Sequence, residues 1–185
     1  MSPLQELAAD VGIPERTLRR AVETRTLRGH RPSPRKLALD EAEPEYVRRH
    51  WGLLQDLREA LRTEPNVKLA VLFGSTARGD AGPRSDIDLI VSWKDATRAR
   101  PGALLAKLEA ATGREVDLIQ WSRAKKSPLL VDRVLKEGRV IVDRGYVWPR
   151  LIADEDTVAA RARRHERQLA RDAEAALDEL IGSDS

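Results

Sequence analysis

The chain has 185 residues, 33 lysines and arginines against 30 aspartates and glutamates, a formal net charge of +3, and no cysteine. These values exclude a disulfide framework, a thiol nucleophile and a cysteine-built zinc site. No stretch approaches the roughly 20 apolar residues of a membrane span, and no apolar leader opens the chain, so the expectation is a cytoplasmic protein with no membrane contact. Three scattered histidines, His30, His50 and His165, suggest no metal cluster, and 41% hydrophobic with 4% aromatic content points to a core of Leu, Val, Ile and Ala.

The first 42 residues read as a helix-turn-helix module. Leu4, Leu7, Ala8 and Val11 have helical spacing, Gly12 breaks the helix, and Pro14 can start another that turns Leu18 and Val22 inward. Between Pro14 and Lys36 there are eight basic residues against two acids. The second helix would project Arg16, Thr17, Arg19 and Arg20 outward as a recognition helix does in a major groove. Thr26 to Gly29 and Arg31 to Arg35 could form a basic wing that touches phosphates. One such module binds DNA weakly, so a homodimer would be needed for useful affinity. A solvated helical cap is the plainer alternative.

A connecting segment, 43–65, carries a helix from Glu43 to Arg62 with Val47, Trp51, Leu54, Leu57 and Leu61 on one stripe. The next unit, 66–148, opens with an apolar strand, Val67 to Phe73, followed by Gly74-Ser75 and a short helix from Thr76 to Arg78. Glycine allows close backbone approach and lets successive N–H groups face an anion, while the Ser75 hydroxyl can donate to a phosphate oxygen. Ten residues on, from Thr76 to Ser85, comes Asp86-Ile87-Asp88 leading into Leu89, Ile90 and Val91. Side chains at i and i+2 of a strand share a face, so both carboxylates can be presented to shared cations. Hard divalent ions such as Mg²⁺ take oxygen ligands and bridge to substrate phosphates.

Pro101 to Thr112 reads as an amphipathic crossover helix built on Leu104, Leu105 and Leu108. Gly113 leads into Arg114 to Ile119, expected to be another buried strand, with Asp117 in its middle on the face of Glu115 and Ile119. Asp117 can join a metal cluster or take the proton of an attacking hydroxyl. Ser127-Pro128 can cap a helix from Leu129 to Lys136, and Gly138 ends it before the strand Val140 to Val142. Arg78 and Arg84 could clamp phosphates through forked donors, against the alternative of ordinary surface arginines. Ser85 could be a ligand or a turn former. The last segment, 149–185, reads as a long charged helix after Pro149, with a thin seam of Val158, Ala162, Leu169, Ala173, Ala176, Leu177 and Leu180. That seam either folds back onto its own sheet or meets a partner chain. The order of elements predicts an α+β fold, a small mixed sheet flanked by helices.

Gly74, Ser75, Asp86, Asp88 and Asp117 together resemble the signature of the minimal nucleotidyltransferases of the DNA polymerase beta superfamily, over about Val67 to Asp143. The resemblance implies transfer of a nucleoside monophosphate from ATP or another nucleoside triphosphate to a hydroxyl, with release of pyrophosphate. Gly74 and Ser75, with Arg78, Arg84 and Ser85, would hold the triphosphate. Asp86, Asp88 and Asp117 would be the catalytic carboxylates and hold two Mg²⁺ ions. The subgroup it is most similar to, small bacterial antitoxins paired with HEPN-domain toxins, implies a cognate toxin partner modified on a tyrosine and an operon under autoregulation. Transfer to tRNA or to a small molecule, and an NTP-sensing transcriptional regulator, remain as alternatives.

Overall fold

The computed structural model describes residues 3–33, 36–82 and 84–182, the side chains of 178–182 excepted. Pro34 and Arg35 of the expected wing and Leu180 of the C-terminal seam therefore lie outside the described residues and side chains. Helices α1 (Pro3–Asp10) and α2 (Glu15–Glu23) are joined by a turn through Gly12. A hairpin follows, β1 (Gly29–Ser33) antiparallel to β2 (Lys36–Leu39), and then the long α3 (Glu43–Arg62).

The central unit carries β3 (Val67–Phe73), α4 (Gly74–Arg78), β4 (Ile87–Trp93), α5 (Pro101–Thr112), β5 (Val116–Gln120), α6 (Trp121–Ala124), α7 (Pro128–Glu137) and β6 (Arg139–Asp143). The strand order is β5-β4-β3-β6, with β3 antiparallel to β4 and β6 and with β4 parallel to β5. The fold is the expected α+β class with a small mixed sheet. Alternation along the strands splits the core by face. Ala70, Leu72, Ile87, Leu89 and Val91 pack toward Leu54 and Leu57 of α3 and Leu104 and Leu108 of α5, whereas Leu69, Val71, Phe73 and Ile90 pack toward Val134 and Leu135 of α7 and Trp148. Each fully buried Leu or Ile contributes on the order of 1.5–3 kcal/mol.

The N-terminal helices are not a separate bead. One cluster of buried side chains runs from Leu4, Leu7 and Leu18 through Leu27 and Val47 to Leu89. A buried ion pair reinforces the junction: both guanidinium arms of Arg139 meet the carboxylate of Glu43, with the two side chains 2% and 3% exposed. Arg139 also lies 3.3 Å from the ring centroid of Tyr46. It donates from Nε to the Ala77 carbonyl at 2.6 Å and from Nη1 to the Thr26 carbonyl at 3.3 Å. Arg28, expected on the wing, is half-buried here instead, donating to the carbonyl of Glu137 at 2.9 Å. Its neighbours Thr26 and Leu27 are buried and pull the segment inward.

Three further expectations change. The Asp117 strand, expected to be buried, is the sheet edge, β5, where Val116 is buried, Asp117 exposed and the rest half-buried. The short helix after the Gly-Ser turn starts at Gly74 itself, two residues before Thr76. The C-terminal segment is two helices, α8 (Val147–Ala153) and α9 (Glu155–Gly182), so Pro149 lies inside the first. The Asp143 carboxylate starts α8 by accepting the N–H groups of Gly145, Val147 and Trp148 at 3.1, 3.0 and 3.0 Å. Proline at that third helical position lacks an N–H that a first-turn residue does not need. Helix α9 folds back on α7, buries Ala162, and leaves Leu169 and Leu177 exposed.

Candidate active site

The site is built at the end of β3 and the start of β4, on the face that α7 covers. In the antiparallel register Phe73 stands opposite Asp88, and in the parallel register Asp88 stands opposite Asp117. Residues directly paired in neighbouring strands point to the same side, so these carboxylates are neighbours across the sheet. Asp86 lies just ahead of β4, close enough for its charge to act on Asp88. Asp86 and Asp117 are exposed, while Asp88 is half-buried.

The electrostatics couple the three by repulsion. Burial pushes the Asp88 carboxyl above its ordinary value, and the charges of Asp117, then Asp86, then Glu137 push it further, with only Arg133 opposing them. The charges of three other carboxylates thus act on Asp88. Glu137 escaped the sequence reading because it closes a helix, where an acid reads as solvated surface.

Gly74 takes φ +72°, a backbone that favours glycine. A Cβ there would stand 2.1 Å from Oδ2 of Asp88. The turn can therefore pass under the acid only as glycine. The Gly74 N–H, expected to face a phosphate, donates to Oε1 of Glu137 at 3.2 Å. Arg78 donates to Oε2 of Glu137 at 2.8 Å and to Asp80 at 3.1 Å, and the Glu137 bond is the first cause holding its guanidinium above its ordinary value. The structure thus brings Arg78 to the turn. Ser75 is half-buried beside it.

Arg84 is exposed in the loop before Asp86 and forms no ion pair among the described residues. Ser85 makes a turn, its hydroxyl accepting from the Gly82 N–H at 3.0 Å. Arg114 fastens this loop. It donates from Nε to the Ser85 carbonyl at 2.9 Å and from Nη2 to the Thr76 hydroxyl at 3.1 Å, while Thr76 donates to the Asp86 carbonyl at 3.2 Å. The signal that could have found Arg114 is its position at the mouth of the Asp117 strand.

Among the described residues no three His, Cys, Asp or Glu side chains stand in a ready metal cage. The donor set nevertheless fits a hard divalent ion, being all carboxylate oxygen on one face and mutually repelling. At the N-terminus, Arg16 and Arg20 are exposed on α2, Thr17 is half-buried, and Arg19 is ion-paired to Glu15 at 2.6 Å. Arg16, Thr17 and Arg20 line a cleft against β6 and α8, and Asp86, Asp88 and Asp117 are not part of its lining.

Sequence comparison decides the family. The family described as Polymerase beta, Nucleotidyltransferase matches residues 55–146. A protein of Methanocaldococcus jannaschii, provisionally named a protein adenylyltransferase, is 38% identical over 73 residues, covering 39% of this chain and 76% of that one. The chain belongs to the polymerase beta nucleotidyltransferase family. It is thereby a nucleotidyltransferase, and the acid-bearing strands lie within the matched residues. Among solved structures, a toxin-antitoxin with AMP-PNP is 25% identical with a TM-score of 0.47, over 69% of this chain and 98% of that one. A Shewanella oneidensis complex of a tri-AMPylated HEPN toxin with an MNT antitoxin is 23% identical with a TM-score of 0.43, over 70% of this chain and 96% of that one. No helix among the described residues is long and apolar enough to cross a membrane.

Proposed function

We propose that this nucleotidyltransferase moves AMP from ATP to a hydroxyl of a protein. The observation that carries the reading is the side-by-side placement of Asp88 and Asp117 on parallel strands, with Asp88 directly over the Gly74 turn. Gly74 and Ser75 would hold the triphosphate, with Arg78 beside them and Arg84 and Ser85 on the loop that delivers Asp86. In the transfer, the acceptor oxygen bonds to the α-phosphorus, the bond from that phosphorus to the β-phosphate bridge breaks, and pyrophosphate leaves. Asp117, exposed at the sheet edge, would take the acceptor's proton. Asp86, Asp88 and Asp117 would hold magnesium, which when bound neutralises charge on the phosphates.

The choice of a protein acceptor and of ATP is supported by the name of the M. jannaschii relative. The choice of a cognate HEPN-type toxin follows the antitoxin-like signature of Gly74, Ser75, Asp86, Asp88 and Asp117. DNA binding and autoregulation through α2 are part of the same proposal, supported by the exposed Arg16 and Arg20. ATP labelled at the α-phosphate, incubated with magnesium and candidate toxin, tests the chemistry. Label should reach the protein from α-labelled but not from γ-labelled ATP, and Asp86→Ala with Asp88→Ala should abolish it. Transfer that persists without both acids would refute the assigned site.

A further inference from the structure

A cleft of about 690 Å³ opens between α2 and the start of α8. Because Leu72 pairs with Arg139 and Leu69 with Asp143, its Asp143 side lies at the end of the sheet away from the Gly74 turn. Four arginines line it: Arg16, Arg20 and Arg25 from the N-terminal segment and Arg58 from α3. None of the four forms an ion pair among the described residues. The acids on the same wall are already engaged, Glu23 with Arg31 at 2.6 Å and Asp143 with the three backbone N–H groups of α8. Among the described residues Arg58 donates only to the Thr26 hydroxyl, at 2.9 Å. Burial, and then the charge of Arg20, press on its guanidinium.

A second observation falls on the same walls. Among the described residues the only non-glycine residues with left-handed backbone are Arg25, at φ +62°, and Tyr146, at φ +50°, and both line this cleft. Such backbone costs energy and persists where the surroundings enforce it, with ligand clamps a recurrent setting. Tyr146 is 81% exposed, so its ring face is free, and buried Trp148 forms part of the floor.

We propose that this cleft is a phosphate-binding site for a nucleotide unit, its guanidinium groups gripping the phosphate and Tyr146 stacking on the base. Forked, permanently charged donors converging on one space suit a group with several charged oxygens better than a single carboxylate. The volume is that of a small-molecule site. An exposed tyrosine face accepts any base. The nucleotide can come from solution or from a nucleic-acid strand lying along α2. The reading goes beyond the transfer reaction, and rests on DNA binding by α2 only if the strand is the source.

The test uses the full chain carrying Asp86→Ala and Asp88→Ala, in EDTA, so that the acid cluster holds no magnesium nucleotide. Fluorescein-labelled duplex and single-stranded DNA are titrated by anisotropy, and AMP and ATP by calorimetry. Arg58→Gln keeps an amide donor for Thr26, Tyr146→Gly suits the positive φ and should raise Tm, and Arg19→Ala removes an α2 arginine that does not line the cleft. At least one probe should bind, and Arg58→Gln and Tyr146→Gly should each weaken it about tenfold, with mononucleotide affinity unchanged by Arg19→Ala. DNA affinity that falls with Arg19→Ala but ignores Arg58→Gln and Tyr146→Gly would overturn the cleft and leave DNA reading by α2 standing. Mononucleotide affinity lost in the two cleft variants, with no DNA binding, supports the cleft and removes the DNA reading. Failure of all probes to bind, or binding indifferent to all three substitutions, overturns the proposal.

Discussion

Glu137 and Gly74 lie 63 residues apart in the chain and meet through one hydrogen bond, the Gly74 N–H donating to Oε1 of Glu137 at 3.2 Å. The last residue of α7 thus occupies the donor that the first residue of α4 would offer to a phosphate. The other carboxylate oxygen is bound to Arg78 at 2.8 Å, so the acid spans turn and arginine together. A triphosphate on this turn has to compete with Glu137 for the same N–H.

That competition predicts the behaviour of Glu137→Gln. The amide keeps an oxygen near Gly74 but removes a negative charge from beside both the turn and Asp88. ATP affinity in magnesium is expected to rise about threefold to tenfold, read by calorimetry. Unchanged affinity would mean that the Gly74 donor stays with residue 137 and the triphosphate lies elsewhere.

Asp88 gives a pH dependence whose sign can be worked out. Its folded carboxyl is raised by burial and by Asp117, Asp86 and Glu137, so the folded chain takes up this proton before the unfolded chain does. The charged form therefore costs stability at neutral pH, and the cost fades as pH falls through the raised value to the ordinary carboxylate range. Asp88→Asn should have the higher Tm at neutral pH, with the gap closing on acidification, while nucleotide transfer is lost. A Tm gap that widens as pH falls would contradict the crowding of acids.

The strands and helices around the acids were legible because their periods are strong. Val67 to Phe73, Glu43 to Arg62 and Pro101 to Thr112 were read at the bounds the structure gives. Asp86 and Asp88 were legible as a pair because side chains two apart in extended backbone share a side, whereas Asp117 joins Asp88 through the register of β4 and β5. What escaped depends on contacts distant in sequence. Arg28 looks like wing surface until Thr26 is seen bonding the Val140 carbonyl at 2.6 Å, 114 positions away. Glu137 looks like a helix-end acid, and Asp117 like a buried strand residue, because neither strand order nor the docking of α7 is written in local spacing.

The Arg139 and Glu43 pair predicts a large effect from a small change. Both side chains are almost wholly buried, and Glu43 also accepts the Arg28 N–H at 2.9 Å. Glu43→Gln leaves a buried guanidinium without its counter-charge, a loss of about 3–5 kcal/mol. Thermal unfolding should drop by about 10 °C. A change of about a degree would mean that Tyr46 and the Ala77 carbonyl alone suffice to hold Arg139.

Arg114 carries the last prediction, because it positions a catalytic candidate without being placed to touch substrate. Its guanidinium ties the Ser85 carbonyl and the Thr76 hydroxyl, and Thr76 in turn holds the Asp86 carbonyl. Cutting this tie frees the loop that delivers Asp86 while leaving Asp88, fixed within β4, in place. For Arg114→Ala, kcat for nucleotide transfer should fall about tenfold to a hundredfold, with a smaller change in the KM for ATP. Arg114→Lys should recover only part of the loss, since one ammonium cannot reproduce a planar fork that serves two acceptors. A variant that transfers at the parent rate would show that the start of β4 next to it is enough to hold Asp86, and that the loop ahead of it needs no fastening.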